Sequence, residues 1–231
     1  MAQTYGPKYP GIKDGLVFSF DPKNRDCWSG GGMTGTVYDS VNNLNGTLSF
    51  ANADDEFAGA LTTEGYFNYD GTDDDIDFTY DSNLELQEFT VEAWVNWDGT
   101  VGNKGFIEVM AGSTAGWFMG QYSGNNFKFY SQTPGWQSIG STTPSSDTWY
   151  HVVGVLGAYG TSNNKKLYIN TALDSQQTTS ANVSYSTSNV RIGYYDSNWS
   201  GKIGPINIYN RALSSSEVLT NYNRLKGRFG L

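Results

Sequence analysis

The sequence predicts an all-β protein, in which two antiparallel sheets form a sandwich and one short helix lies near the C-terminus. Glycine accounts for 28 of the 231 residues and aromatic residues for 15%, and both kinds of residue are poor helix formers. Short apolar segments separated by polar turns recur along the chain, which is the spacing of a sandwich. A chain of this length can bury one such core.

The predicted strands are marked by apolar alternation. In residues 89–95 the odd-numbered positions are apolar and share one face, whereas Thr90, Glu92 and Trp94 share the other. Residues 149–156 form the most apolar strand, so we expect it in the interior of a sheet. The other predicted strands cover residues 15–20, 66–69, 76–78, 106–109, 116–121, 127–130, 166–170, 190–194 and 202–209, and a turn at 45–48 leads into one more.

The predicted helix covers residues 214–226. Ser214-Ser-Ser-Glu217 is a capping box, in which the Ser214 hydroxyl and the Glu217 carboxylate each bind a free backbone N–H. Gly227 is a natural stop. The apolar face that should pack on the sandwich consists of Val218, Leu219, Tyr222 and Leu225.

The domain organisation is simple. Residues 1–13 predict an extended arm, because they contain Gly6, Pro7, Pro10 and Gly11 and have no core of their own. Residues 14–231 show no linker and no fixed-period repeat, so we expect one domain.

Composition excludes several kinds of site. Cys27 is the only cysteine and His151 the only histidine, so a disulfide framework, a cysteine zinc cluster and a multi-histidine metal site are all impossible. A serine or cysteine triad would have to use His151 as its base. We expect a packing role for His151 and an inert thiol at Cys27.

Charge is distributed unevenly along the chain. The net charge is −9, yet residues 51–98 carry 14 acidic side chains and no lysine or arginine, whereas the last 21 residues carry four basic side chains against Glu217. Such an acidic chain is a poor nucleic-acid binder. Its acidic stretch has three interpretations: solubility, a cation site or a docking surface for a basic partner. No apolar run could span a membrane, and the first residues have no apolar core like that of a secretory signal.

An acidic turn is the candidate metal site. Calcium takes six to eight oxygen ligands, which clustered carboxylates and backbone carbonyls supply. The candidate ligands are Asp70, Asp73, Asp74 and Asp75, followed by Asp77. Solvated turn carboxylates are the alternative.

The predicted strands also carry a family resemblance. Phe89-Thr-Val-Glu-Ala-Trp-Val95 and Trp149-Tyr-His-Val-Val153 resemble the patterns fTieaWv and W.hva of laminin-G-like, concanavalin-A-like jelly rolls. Leu167-Tyr-Ile-Asn170 resembles lYiNG, with Thr171 in place of the usual glycine. Further matches, in chain order, lie at residues 15–21, 38–48, 67–76, 200–203 and 208–214. Related sandwiches often hold a structural calcium near the acidic turn, so the resemblance implies one there.

Hydrolases on this fold use close carboxylates on one strand. Here Glu92 and Glu108 each stand alone in their strands. The sequence therefore predicts that the protein is not an enzyme.

Both ends of the chain resemble virion structural proteins of tailed bacteriophages, cyanophages especially. The matching segments are residues 4–8 with 14–17, and residues 221–231. The resemblance implies a capsid decoration or cement subunit, made in the host cytoplasm, that contacts the major capsid protein or other virion subunits as a possible homo-oligomer. The expected docking residues are Tyr5, Pro7 and Tyr9 of the arm and Arg224, Lys226, Arg228 and Phe229 of the C-terminal end.

The alternative function is that of a tail or baseplate module, similar to a lectin, that binds a host surface glycan. Lectin sites stack flat aromatic rings on sugar faces and add polar hydrogen bonds. The candidate contact residues near Gly- and Ser-rich loops are Trp117, Tyr122, Trp136, Tyr195 and Trp199.

Overall fold

Two antiparallel sheets pack face to face, and one helix covers the outer side of one of them. The structure is a computed structural model and describes residues 11–29, 35–50, 62–111, 115–122, 124–132 and 136–231. The fifteen strands of these described residues are numbered along the chain. Within the described residues, no helix is long and apolar enough to cross a lipid bilayer.

The seven-stranded sheet has the order β1-β15-β6-β11-β12-β13, and β4 pairs with the first half of β15. Its strands are β1 (Leu16–Phe20), β4 (Phe67–Asp70), β6 (Phe89–Trp97), β11 (Trp149–Leu156), β12 (Lys165–Ile169), β13 (Ala172–Gln177) and β15 (Ser200–Tyr209). The strand predicted to be central, β11, lies between β6 and β12, which confirms that prediction.

The eight-stranded sheet has the order β10-β9-β8-β7-β14-β5-β3-β2. Its strands are β2 (Thr36–Tyr38), β3 (Asn45–Ser49), β5 (Asp75–Phe78), β7 (Lys104–Ala111), β8 (Ala115–Tyr122), β9 (Asn126–Gln132), β10 (Trp136–Ile139) and β14 (Asn189–Ile192). The predicted all-β, two-sheet sandwich is confirmed.

Three strands escaped prediction, namely β2, β10 and β13. All three are edge strands, and β13 is largely exposed, so they lack the apolar alternation that marks a half-buried strand. A two-residue turn joins β12 to β13, and Asn170 and Thr171 both have positive φ there, at 48° and 76°. Glycine is the residue best suited to such backbone, which explains why the usual pattern has glycine at the position of Thr171.

The helix α1 runs from Ser215 to Leu225. The predicted capping box is present: the Glu217 N–H donates to the Ser214 hydroxyl (3.3 Å), and the Ser214 N–H donates to the Glu217 carboxylate (2.8 Å). The predicted apolar face is partly wrong. Leu219 is 45% exposed, whereas Asn221 is buried with Val218. Asn221 is buried because its side-chain amide has a charged hydrogen-bond partner in the sheet beneath.

That partner is Glu92 of β6, which is 3% exposed beneath the helix. Its carboxylate accepts hydrogen bonds from Asn207 Nδ2 (2.8 Å), Tyr209 Oη (3.2 Å) and Asn221 Nδ2 (3.1 Å), and His151 Nε2 lies 3.2 Å away. Burial alone would raise the pKa of Glu92, but these contacts, His151 first, hold it below its ordinary value. Glu92 therefore stays ionised as the centre of a buried polar network.

Asn221 also joins the start of the described chain to this network. Its Oδ1 accepts a hydrogen bond from the Ile12 N–H (2.8 Å). Trp94, two residues after Glu92, stacks on His151, Tyr222 and Phe229 at centroid distances of 4.9, 5.7 and 4.4 Å. The outer face of the seven-stranded sheet is thus closed by the protein's own C-terminal end.

We expect Asn221→Ala to lower the free energy of unfolding by about 2–3 kcal/mol, because it removes hydrogen bonds to a buried carboxylate. Asn223→Ala on the same helix is the matched control, since Asn223 is exposed and the substitution brings the same change in helix propensity. Urea denaturation measures both. Equal stability of the two variants would contradict the anchoring role of Asn221.

A second buried charge links the two sheets. Lys165 of β12 is fully buried, and its Nζ donates to Ser131 Oγ (2.9 Å) and to the Gln137 carbonyl (2.6 Å) of the opposite sheet. The ammonium lies 4.8 Å from the Phe129 ring centroid. Burial lowers the pKa of Lys165 to about 7.

This lysine makes stability depend on pH. Between about pH 7 and 10.5 the unfolded chain binds the lysine proton and the folded chain does not, so stability rises with pH in that window. We expect the free energy of unfolding of the wild type, minus that of Lys165→Met, to rise by up to about 1.4 kcal/mol per pH unit. Denaturation at pH 7.5, 8.5 and 9.5 tests this, and a constant difference would contradict it.

Candidate ligand-binding face

The outer face of the eight-stranded sheet, which points away from the core, carries the candidate site. Side chains alternate across a strand, so β8 sends Trp117 and Met119 into the core and Phe118 to the outer face. In β9, Phe129 points inward and Tyr130 outward. Strand alternation therefore builds an apolar patch on the side opposite the core.

The aromatic cluster on this face consists of Phe118, Tyr122, Tyr130 and Tyr195, with Met110 beside them. Phe118 is fully buried and stacks on Tyr195 and Tyr130, at centroid distances of 3.7 and 4.5 Å. Tyr122 contacts Tyr130 edge-on at 5.0 Å. Tyr122 and Tyr195 are half-buried, and their hydroxyls make no hydrogen bond with the described residues. Their rings and hydroxyls are therefore available to a ligand.

A polar row adjoins the cluster and consists of Asp75 and Asp77 of β5, Arg191 of β14 and Glu108 of β7. Strand register places Arg191 between Asp77 and Glu108. Arg191 Nη2 lies 2.6 Å from Asp75 Oδ2, and Nη1 lies 3.6 Å from Glu108 Oε1. The guanidinium also lies 3.9 Å over the Tyr194 ring.

Glu108 is the unusual member of the polar row. It is 5% exposed, and its carboxyl makes no hydrogen bond with the described residues. Burial raises the pKa of Glu108 to about 8, and Asp77 and Asp75 add to the increase while Arg191 opposes it. At neutral pH the side chain therefore carries a proton and can donate a hydrogen bond. Burial first, and then the nearby Tyr122, Asp196, Tyr130 and Glu108, raise the pKa of Tyr195 to about 12.

The predicted contact residues divide into two groups. Tyr122 and Tyr195 come together on this face, with ring centroids 6.2 Å apart. Trp117 and Trp199 are fully buried, so their assignment as contact residues is wrong. Trp117 points inward and stacks on Phe89, and Trp199 packs on Phe106. Trp136 begins β10, but its side chain lies outside the described residues.

Sequence reasoning missed Phe118, Tyr130 and the polar row. The period of two in β8 could have identified Phe118, because Trp117 and Phe118 cannot share a face. Glu108, read as a lone carboxylate, has Asp75 and Asp77 on the same face two strands away. Glu108 does stand alone in its own strand, and its carboxyl neighbours come from strand pairing, which brings together residues that are distant in the chain.

The predicted docking residues at the C-terminal end are largely used within the fold. Phe229 is 5% exposed against Trp94, and Arg228 forms a bidentate ion pair with Asp21 at 2.7 Å. Phe229 is therefore wrong as a free docking residue, and Arg228 is already paired. Arg224 is exposed and Lys226 half-buried. The arm residues Tyr5, Pro7 and Tyr9 lie outside the described residues.

The acidic turn brings together three of the four predicted metal ligands. Carboxylate oxygens of Asp70, Asp73 and Asp74 lie within 4.8 Å of one another, whereas Asp75 pairs with Arg191 on the outer face and is wrong as a ligand. The donors are of the kind that calcium prefers. The buried Lys104 brings a positive charge toward Asp70 and Asp98, which competes with a metal ion.

Calcium binding at this turn stays a prediction. We expect chelator-stripped protein to gain melting temperature on addition of millimolar calcium, because the ion binds the folded state alone. Asp73→Asn should abolish the gain, and Glu88→Gln, an exposed position with the same charge change, should retain it. No calcium-dependent shift in the wild type would contradict the prediction.

Comparison with known proteins shows the family. The chain belongs to the concanavalin A-like lectin/glucanases superfamily, whose laminin-G profile matches residues 70–219, more than half of the sequence. No curated protein matches the sequence.

Solved structures share the fold at low sequence identity. Domain 4 of AbnA, an extracellular arabinanase from Geobacillus stearothermophilus, in complex with arabinotriose, is 18% identical with a TM-score of 0.68, covering 90% of this chain and 98% of that one. A Trypanosoma rangeli sialidase in complex with sialic acid is 14% identical with a TM-score of 0.64, and the match covers 92% of this chain and 33% of that one. The binding domain of Botulinum Neurotoxin DC in complex with SialylT is 15% identical with a TM-score of 0.65, and the match covers 92% of this chain and 52% of that one.

The chain thus spans a third of the sialidase and about half of the toxin fragment. At these identities the likeness shows a fold that carbohydrate-binding modules and glycosidase chains share.

Proposed function

We propose that the protein is a non-enzymatic glycan-binding module and that its site is the outer face of the eight-stranded sheet. One observation carries the proposal: half-buried tyrosine rings with unbonded hydroxyls adjoin a row of carboxyl groups and an arginine. Sugar rings stack on aromatic faces, and their hydroxyls bind carboxylates and amides. Carbohydrate complexes of structural relatives support the proposal.

The polar row also bears on catalysis. A retaining glycosidase holds its two carboxyl groups about 5–5.5 Å apart, and an inverting one holds them about 6.5–9.5 Å apart with an attacking water between them. Here β14 separates β5 from β7, which places their backbones about 9.6 Å apart at the usual strand spacing. Arg191 stands between Asp77 and Glu108 and pairs with Asp75. We therefore assign the carboxyl groups to ligand binding.

The setting that we propose is the particle of a tailed phage, on the resemblance of the two chain ends. Capsid decoration and a tail or baseplate lectin are the two positions. The internal use of Phe229 and Arg228 favours the lectin, because cementing a capsid through the C-terminal end needs those side chains free. Labelling the protein in images of intact particles separates the two: labelled tails support the lectin, and label on capsids alone contradicts it.

We expect Tyr122→Ala and Tyr195→Ala each to weaken glycan binding at least about tenfold, which corresponds to about 1.4 kcal/mol. Tyr159→Ala is the matched control, because Tyr159 is 57% exposed on a loop and should leave affinity unchanged. A glycan array finds the ligand, and calorimetry on folded variants measures affinity.

Two outcomes would contradict the proposal. One is an array without binding to any glycan. The other is equal affinity in all three tyrosine variants, which would place the ligand elsewhere on the protein. Release of reducing ends from a bound oligosaccharide would contradict the non-enzymatic assignment alone.

A further inference from the structure

We infer that this face selects neutral glycans, excludes sugars that carry a carboxylate or sulfate, and loses affinity when Glu108 gives up its proton. The inference rests on the proposed function and adds the charge of the ligand and the control of binding.

Arg191 is the only cation of the polar row, and its charge is already matched. One end of the guanidinium pairs with Asp75 at 2.6 Å, the other approaches Glu108 at 3.6 Å, and one flat side lies 3.9 Å from the Tyr194 ring. Lys128 of β9 directs its ammonium to the Gly140 carbonyl at 2.6 Å. Within the described residues, the polar row itself therefore offers no unpaired cation to an acidic sugar.

Glu108 supplies the group that a neutral ligand would satisfy. Its side chain is nine-tenths buried, and its carboxyl makes no hydrogen bond with the described residues. A ligand that displaces water from this largely buried carboxyl must replace the hydrogen bond that water makes, and a sugar oxygen that accepts the Glu108 proton does so. Asp77 accepts one hydrogen bond, from Asn189 Nδ2 (3.1 Å), and keeps further lone pairs for ligand hydroxyls.

The charge balance of the row then sets the selectivity. Asp75 and Arg191 cancel each other, Glu108 is neutral when protonated, and Asp77 leaves one negative charge. A ligand carboxylate or sulfate would meet that charge in a partly buried setting, where repulsion is poorly screened. A neutral polyhydroxyl ligand meets only donors and acceptors.

The same balance links binding to pH. The groups that face Glu108 are Arg191 from β14, Asp75 and Asp77 from β5 and Tyr195 from the loop after β14, while β8 places Phe118 opposite it. Loss of the Glu108 proton removes a donor and adds a second negative charge beside Asp77. With a pKa of about 8, about one molecule in ten stays protonated at pH 9, so apparent affinity falls about tenfold.

The test uses an array on which each neutral oligosaccharide is printed beside its sialylated, uronate or sulfated derivative. We expect the full-length wild type to bind neutral members and to lose about tenfold in affinity for the strongest neutral glycan between pH 6.5 and pH 9. Glu108→Gln, which keeps a donor at both pH values, should bind alike at both. Glu88→Gln should behave as the wild type does.

Asp77→Asn provides a second variant, whose effect does not depend on the folding of Glu108→Gln. It removes the uncompensated charge, so we expect its relative affinity for acidic derivatives to increase. Acidic glycans that bind as well as their neutral parents would overturn the inference and leave the proposed function standing. An equal loss at pH 9 in Glu108→Gln would also overturn it. Binding to no glycan would refute the proposed function itself.

Discussion

Everything in this protein depends on the alternation of side chains across paired strands. Each strand of the eight-stranded sheet must give one face to the core, because the sandwich is held together by apolar side chains buried between the sheets. The remaining residues, every second one along each strand, then form the outer face of the sheet. In β8 this rule buries Trp117 and presents Phe118, and in β7 it buries Val109 and presents Glu108 beside Met110.

The two sheets use their outer faces differently. On the seven-stranded sheet, Glu92 attracts Asn221 and so binds the helix, and Trp94 receives Tyr222 and Phe229. That face is covered by the chain's own C-terminal end. The outer face of the eight-stranded sheet keeps half-buried Tyr122 and Tyr195 instead. A network of carboxylate and amide hydrogen bonds thus holds the C-terminal helix on the seven-stranded sheet. The outer face of the eight-stranded sheet is left for a ligand.

Most of the fold could be predicted, because its signals are local. The alternation of residues 89–95 and the capping box from Ser214 to Glu217 each depend on neighbours within a few positions. Edge strands such as β13 could not be predicted, because their exposed polar residues do not show the alternation of apolar and polar side chains that marks a half-buried strand. The assignment of Leu219 to the buried face is wrong, because helical spacing does not reveal that Glu92 lies beneath the helix and accepts a hydrogen bond from the Asn221 amide.

The site could be predicted only in part. Residue type and loop context identify Tyr122 and Tyr195, but Trp117 and Trp199 have the same signals and lie in the core. The row of Asp77, Arg191 and Glu108 requires knowledge that β14 inserts between β5 and β7. One sequence does not contain that pairing, since these residues are separated by 31 to 114 positions.

The most direct test of the central claim is a crystal structure with a neutral oligosaccharide taken from the array. The account predicts a sugar ring against Tyr122 or Tyr195, with hydroxyls within hydrogen-bond distance of Glu108 and Asp77. A sugar bound at the strand-end loops or on the seven-stranded sheet, with the outer face of the eight-stranded sheet empty, would contradict it.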